Sequence, residues 1–370
     1  MDTEEQPNKK RRDDEEDMTN RKVRVKPKPV LFEELTQLPV LEKSYVGVLK
    51  DKKNISKSIT GLTNCLPCPQ YLKRCSGLRI FLSKVIGTPE DLKQFMIQNG
   101  FDMSILEDKF EIVDVPAAPP RTRAQMAYGS KFWPMNFHPD LNLEAFISGS
   151  LFDDDQLASL ETCIRLAISA AQNTAVGSRE CNGSAVIVDP EEGKVLAIAA
   201  SSVDKHPMWH ASLIAVDLIA KIQGGGAWRL LNDFERFKLD KVKRKFPDDL
   251  PLRYPDSLFT IEVSQESKLT FEKKEGRKLK NDLDVKCGPY LCTGYWAILL
   301  QEPCPLCAMA LLHSRVSRIF YGAANLRTGI LGSKAILHSV PGLNHRYQVW
   351  SGILEDECNR ILETCQVIDS

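Results

Sequence analysis

YWAILLQEPCPLCAMALLH, residues 295–313, changes its periodicity halfway along, and that change decides the fold. Residues 295–300 form a short, uninterrupted apolar run that reads as a buried strand, and residues 304–313 keep apolar side chains at helical spacing. Between them stands Pro303-Cys304-Pro305-Leu306-Cys307, a strand-to-helix junction. Two cysteines three positions apart lie on the same side of a first helical turn, where the positive end of the helix dipole favours their thiolate forms. One such pair alone is weak evidence, because paired cysteines at helix starts also serve as buried apolar residues or redox couples.

Upstream, the pattern that leads to this junction is helix, hairpin, helix. Residues 154–173 place Leu157, Leu160, Cys163, Ile164, Ala167, Ile168 and Ala171 on one helical face. Residues 184–188 and 195–199 read as two strands, joined by a turn that starts at Asp189-Pro190 and ends at Gly193. Residues 210–222, apolar on nearly every side, read as a buried helix that opens with His210. Residues 318–322 supply another strand. Strands alternating with helices predict an α/β sandwich around a mixed central sheet over residues 154–370. A polar, lysine-rich stretch at 224–289, with Arg236, Lys238, Lys241, Lys243, Arg244 and Lys245, reads as an insertion into it.

The remainder of the 370 residues suggests a second domain, since one hydrophobic core seldom grows to that length. Residues 29–115 carry strand-like runs at 44–49 and 78–82 and a helix capped by Thr88, with Pro89 in its first turn; they predict a small α+β domain. Prolines 116, 119 and 120 then break regular structure, and residues 116–153, with Trp133 and Phe137, read as a connector. Residues 1–28 alternate base (Lys9, Lys10, Arg11, Arg12) with acid (Asp13, Asp14, Glu15, Glu16, Asp17) and are expected to be a disordered tail. The basic block reads equally as a nuclear import signal or as a solvated tail.

Composition narrows the class. With 43% apolar and 26% charged residues and a formal net charge of zero, the chain has the make-up of an ordinary globular protein, and global charge does not announce a nucleic-acid binder. No apolar run is long enough to span a bilayer, and the charged N-terminus lacks a signal core, so the expectation is a soluble protein of the nucleus and cytoplasm with no membrane partner. Eleven cysteines, an odd number, fit reduced thiols and metal ligands better than a disulfide framework.

His210, Cys304 and Cys307 together suit zinc, and three protein ligands leave a fourth position for water or another ligand, the layout of a catalytic centre. A histidine opening one helix and a Pro-Cys-x-x-Cys opening the next is the arrangement of zinc nucleobase deaminases, H-x-E followed by P-C-x-x-C. The sequence departs from that pattern at one place, because His210-Ala211-Ser212 has serine where the proton-shuttling glutamate belongs. A serine hydroxyl has no useful basicity near neutral pH. Asp217 is about 140° round the helix from position 212, and Glu302 precedes a proline and lies on the strand side of the cysteines, so neither is placed to substitute. Loss of a positioned acid-base group removes about 10²- to 10⁴-fold of rate. His206 and His210 share a metalloprotease spacing, but Pro207 pulls His206 out of the helix and no glutamate follows it. Cys65, Cys68 and Cys75 read either as buried thiols or as part of a second zinc site whose fourth ligand the sequence does not supply.

Beyond the zinc pattern, the segments Tyr290-Leu291-Cys292-Thr293-Gly294, Glu302-Pro303-Cys304, Cys307-Ala308-Met309-Ala310-Leu311, His313-Ser314-Arg315, Tyr321-Gly322 and Leu343-Asn344-His345-Arg346 resemble the non-catalytic subunit family of the eukaryotic tRNA wobble-adenosine deaminases. Pro120-Arg121-Thr122-Arg123, Phe132-Trp133-Pro134 and His206-Pro207 with His210-Ala211 are similar to the same family. The resemblance covers residues 121–352 apart from the insertion. It implies the three-layer α/β/α cytidine-deaminase sandwich and a zinc site without its glutamate, often replaced by valine, from which Ser212 departs while keeping the loss. It also implies a heterodimer with a homologous catalytic subunit, conversion of adenosine to inosine at the first anticodon position of tRNA, and an N-terminal domain that helps hold the tRNA. Two other readings compete. One is an active zinc nucleoside or nucleobase deaminase with an unorthodox proton shuttle, and the other is a zinc-stabilised interaction module unrelated to deamination.

Overall fold

The computed structural model describes residues 26–172, 174–230, 251–263, 269–271 and 291–368. The basic block at 9–12 and the lysine-rich stretches at 236–245 and 273–286 lie outside the described residues. The chain divides into two compact units, one made of Met1–Val30 with Gly149–Ser370 and the other of Leu31–Ser148. Strand β1 (Lys28–Pro29) belongs to the larger unit.

In the smaller unit a four-stranded antiparallel sheet is built from β2 (Leu41–Val48), β3 (Cys75–Ser76), β4 (Arg79–Lys84) and β5 (Glu111–Pro116), in the order β3-β4-β2-β5. Alternation along the strands sorts their side chains into two cores. Tyr45, Ile80 and Leu82 face helices α1 (Ile55–Cys65) and α2 (Pro89–Gln98), whose Leu62, Leu92 and Met96 complete one buried cluster. Thr88 caps α2 in a reciprocal box: its hydroxyl accepts from the Asp91 amide at 3.2 Å while the Asp91 carboxylate accepts from the Thr88 amide at 2.9 Å.

Val46, Phe81 and Val115 face the other way, and there the expected connector turns out to be core. Trp133 and Met135 seal that face, with Trp133 Nε1 donating to the Lys73 carbonyl at 2.6 Å and the Asn136 amide to the Tyr71 carbonyl at 2.8 Å. Helices α3 (Arg123–Gly129) and α4 (Leu141–Ser148) belong to the same unit. The domain boundary therefore falls at residue 149, and residues 116–148 belong to the small domain. The sheet has two apolar faces, and helices α1 and α2 cover only one of them.

The larger unit is a three-layer α/β/α sandwich. Its elements are α5 (Asp154–Ala171), β6 (Val176–Ser178), β7 (Ser184–Asp189), β8 (Lys194–Ala200), α6 (Ala211–Ile222), β9 (Leu252–Tyr254), β10 (Trp296–Gln301), α7 (Pro305–His313), β11 (Arg318–Ala323), β12 (Gln348–Ser351), α8 (Glu355–Thr364) and β13 (Gln366–Ile368). Seven strands form one mixed sheet in the order β1-β12-β11-β10-β7-β8-β9, and β13 pairs with β6 apart from it. Strands β10, β11 and β12 run parallel, while β7 is antiparallel to both β10 and β8.

Both faces of the sheet are buried, so its strands read as continuous apolar runs. Ala185, Ile187, Ala197, Ala199, Ala297, Leu299, Ile319 and Val349 point toward α6 and α7, meeting Ile214, Leu218 and Leu311. On the opposite face the carbonyl of Ala167 in α5 accepts from Ser184 Oγ at 2.5 Å, and Phe152, Trp296, Phe320 and Trp350 form an aromatic cluster in which Phe320 and Trp350 stack at 4.9 Å. The expected insertion is less separate than its polarity suggested: β9 extends the sheet parallel to β8, Leu230 is buried, and Phe271 packs at 5.2 Å on Trp296. Among the described residues no helix is long and apolar enough to cross a membrane.

Candidate metal centre

Strand directions bring three segments to one end of the large sheet. Strand β10 runs into Pro303 and α7, and β8 runs toward the loop that ends at His210 and α6. Because β7 is antiparallel to both, with Ala185 opposite Leu299 and Ser184 opposite Ala200, its beginning lies beside their ends. The residues just before β7 therefore arrive at the same place as the first turns of α6 and α7.

His210 is the N-cap of α6 and Cys304 the N-cap of α7, where Pro305 takes the first helical position and Cys307 the first turn. The expected ligands meet: His210 Nδ1 lies 3.5 Å from Cys304 Sγ and 3.5 Å from Cys307 Sγ. A fourth donor that the sequence did not announce joins them. Cys181 Sγ is 3.8 Å from Cys307 Sγ, and the four donor atoms all lie within 4.8 Å of one another. This is the one cluster among the described residues with three or more His, Cys, Asp or Glu donors arranged to hold a metal. The three thiols are buried and pack with Leu213.

The donor set fits zinc. Soft sulfur and imidazole donors at two helix N-termini suit a dication that needs thiolates. Hydrogen bonds with Cys181 and then Cys307 hold the Cys304 thiol well below its ordinary range, whereas bonding to Cys304 raises Cys181 and bonding to Cys181 raises Cys307. Three thiols that perturb one another this strongly suit a dication, which binds their deprotonated forms.

The position at which the pattern expects the base is buried as well. Ser212 is the second residue of α6 and is 5% exposed. Neither carboxylate considered as a substitute is available. Glu302, fully buried, accepts from the amides of Asn325 at 3.0 Å, Leu331 at 2.8 Å and Ser333 at 3.0 Å, and also from the Ser333 hydroxyl. Asp217 accepts from the Ala227 amide at 2.5 Å and pairs with Lys221 at 3.0 Å, closing the turn after α6. Both acids shape loops.

Elsewhere, His206 stays out of the cluster: its Nδ1 accepts from the Met208 amide at 3.1 Å and its ring stacks on Trp209. Cys65 donates to the Gly61 carbonyl and Cys68 to the Pro69 carbonyl, as thiols. His345 and Arg315, which carried part of the resemblance, tie α7 to the loop before β12. Arg315, at φ 68°, donates to the Asn344 carbonyl at 2.9 Å, and His345 Nε2 lies 2.6 Å from the Val316 carbonyl.

No family model matches the chain. The probable inactive tRNA-specific adenosine deaminase-like protein 3 of Rattus norvegicus is 32% identical over 347 residues, covering 90% of this chain and 90% of its own. The tRNA-specific adenosine deaminase TAD3 of Arabidopsis thaliana is 28% identical over 64% of this chain and 69% of its own. A chain solved in biochemical and structural studies of A-to-I editing by tRNA:A34 deaminases at the wobble position of transfer RNA is 18% identical, with a TM-score of 0.29 over 48% of this chain and 83% of that one. With its deaminase-type His210, Cys304 and Cys307 brought together, serine in place of the base, and 32% identity along 90% of both chains, the protein belongs to the family of inactive tRNA-specific adenosine deaminase-like protein 3.

Proposed function

We propose that this chain is the non-catalytic, zinc-holding subunit of a heterodimeric tRNA adenosine deaminase. Its partner is a homologous catalytic subunit that converts adenosine to inosine at the wobble position, and the Leu31–Ser148 unit helps hold the tRNA. One observation carries the reading: the donors that could hold a metal are assembled while Ser212 stands where a proton-shuttling glutamate is expected and Glu302 and Asp217 are committed to backbone amides. A positioned base is worth about 10²- to 10⁴-fold in such chemistry, so what remains is assembly and not turnover. The relatives named for tRNA deamination support the substrate.

Within the chain, His210, Cys304 and Cys307 would hold the zinc. In a working deaminase zinc supplies activation of water; here the same three side chains pin the starts of α6 and α7 to the end of β10, so metal binding feeds into folding free energy. The basic block at 9–12 supports a nuclear as well as cytoplasmic location, which imaging of a tagged chain lacking Lys9, Lys10, Arg11 and Arg12 would test.

Inosine formation in tRNA by the purified, zinc-loaded chain, alone and with the catalytic subunit added, tests the function. The expected result is inosine only in the mixture. Clear turnover by the chain alone would establish a different proton shuttle and make this an enzyme in its own right.

A further inference from the structure

We propose that Cys181 is the fourth protein ligand of the zinc, so that the centre is a closed Cys3His site with no position open to water. This rests on the zinc reading given above and changes its consequence. Three ligands alone would leave a competent Lewis acid lacking only its base, whereas four make a structural site.

Three of the six ligand-to-ligand edges match those of a zinc tetrahedron. Zn–S bonds of about 2.3 Å and Zn–N bonds of about 2.0–2.1 Å place ligand atoms of a regular tetrahedron about 3.8 Å apart for sulfur to sulfur and about 3.5 Å for sulfur to nitrogen. The observed edges are 3.8 Å from Cys181 Sγ to Cys307 Sγ and 3.5 Å from His210 Nδ1 to Cys304 Sγ and to Cys307 Sγ, and the other three are no longer than 4.8 Å. The Cys181 sulfur also lies within 4.8 Å of all three of the other donor atoms, close enough to share one ion with them. A disulfide is excluded by the same 3.8 Å, since that bond is about 2.05 Å long.

The loop carrying Cys181 is held at many points. The carbonyl of Glu180 accepts from Asn325 Nδ2 at 2.8 Å and from Thr328 Oγ1 at 2.5 Å. Ser178 closes the turn, its amide donating to the Cys181 carbonyl at 3.0 Å and its hydroxyl accepting from the Cys181 amide at 3.3 Å. Asn182 follows, its Oδ1 accepting from the Gly183 amide at 2.7 Å and from Ser201 Oγ at 3.1 Å. Gly183 itself, at φ 103°, lies so close to Leu300 that a Cβ would fall 2.9 Å from its Cδ2. Asn325 in turn donates its amide to Glu302, the residue two before Cys304. One hydrogen-bonded chain thus fixes Cys181 relative to the Pro-Cys-x-x-Cys turn, as ligand-orienting groups do in metal sites.

Zinc K-edge X-ray absorption on the full-length chain tests the assignment. Three sulfurs and one nitrogen in the first coordination sphere are expected. Two sulfurs with two light atoms would overturn Cys181 as a ligand while leaving the zinc reading intact. A purified chain that binds no zinc in competition with a chelator would overturn the zinc reading and this inference together. Cys181→Ala should lose one sulfur from the spectrum and weaken zinc binding by more than about 100-fold, beyond the 10- to 100-fold that outer-sphere groups command; unchanged affinity and sulfur count would refute the proposal. If that variant does not fold, the wild-type spectrum alone decides. Restoring the base by Ser212→Glu should yield no inosine without the catalytic subunit, because no water position is free; turnover by that variant would place Cys181 outside the coordination sphere.

Discussion

Glu302→Gln separates a structural carboxylate from a catalytic one. Glu302 Oε1 accepts from the amides of Leu331 and Ser333, and Oε2 from the Asn325 amide and the Ser333 hydroxyl. Glutamine can keep its carbonyl at the first position and preserve two bonds. Its NH2 then faces the Asn325 amide, donor against donor, while the Ser333 hydroxyl can turn round to accept. One buried N–H left unsatisfied costs about 1–3 kcal/mol, and replacing a charged acceptor by a neutral one at the two retained bonds removes about 1 kcal/mol each. The sum is about 3–5 kcal/mol. Near 3 kcal/mol, amides of 325–333 that open locally exchange about 150-fold faster, at 1.4 kcal/mol per tenfold. Hydrogen-deuterium exchange read on peptides covering 325–333, with 178–183 as the linked loop, measures this. Because Asn325 also holds the Glu180 carbonyl, both segments should loosen together. Wild-type protection in the variant would refute the reasoning and return Glu302 to the list of available acids.

Two further outcomes are expected. Burial pushes the His338 imidazole below its ordinary value, with the Val30 carbonyl opposing the shift and Arg346 adding to it. The unfolded chain therefore binds the proton more readily than the fold, and His338 contributes stability above about pH 6.5 that is lost as pH falls toward the folded value. The melting-temperature gap between wild type and His338→Gln, whose amide can still donate to the Val30 carbonyl, should shift against the wild type from pH 8 to pH 5.5; parallel curves would refute this. Cys304→Ser removes a ligand from the zinc, so the yield of soluble complex with the catalytic subunit should drop severalfold, and normal yield from zinc-free protein would remove the staple role.

Much of the large unit was legible because its signals are local. The apolar face of α5, the apolar runs of β7, β8 and β10 and the Pro-Cys-x-x-Cys turn each declare themselves within one element, and His210 could be paired with the cysteines through a known pattern. What escaped was set by contacts distant in sequence. Trp133 lies in a proline-broken stretch that reads as linker, and only the second apolar face of the small sheet gives it a partner. Strand β9 has three residues inside a polar region, too few for any periodicity. Cys181 stands 126 positions before Cys307 with no companion motif, and its neighbours Arg179, Glu180 and Asn182 read as an ordinary surface turn. The hint lay in the hairpin: a strand antiparallel to β10 must begin where β10 ends.

That geometry makes residue 181 a control point of the fold. Whatever side chain precedes β7 by three residues is delivered to the donor cluster by the pairing of Ser184 with Ala200 and of Ala185 with Leu299. A small apolar residue there would leave room for water, and a thiol fills the same space. Two positions on separate elements, 181 before β7 and 212 in α6, thus govern whether this frame is a reaction centre or a clamp. Here both are set against turnover, and position 181 does more than remove an activity, because a third thiolate as fourth ligand ties the sheet's antiparallel β7 to the two helices that the other three ligands already join. Losing the base alone would leave a metal that can still be attacked or lost through an open position; closing the site gives the unit a fixed, dry end to its sheet.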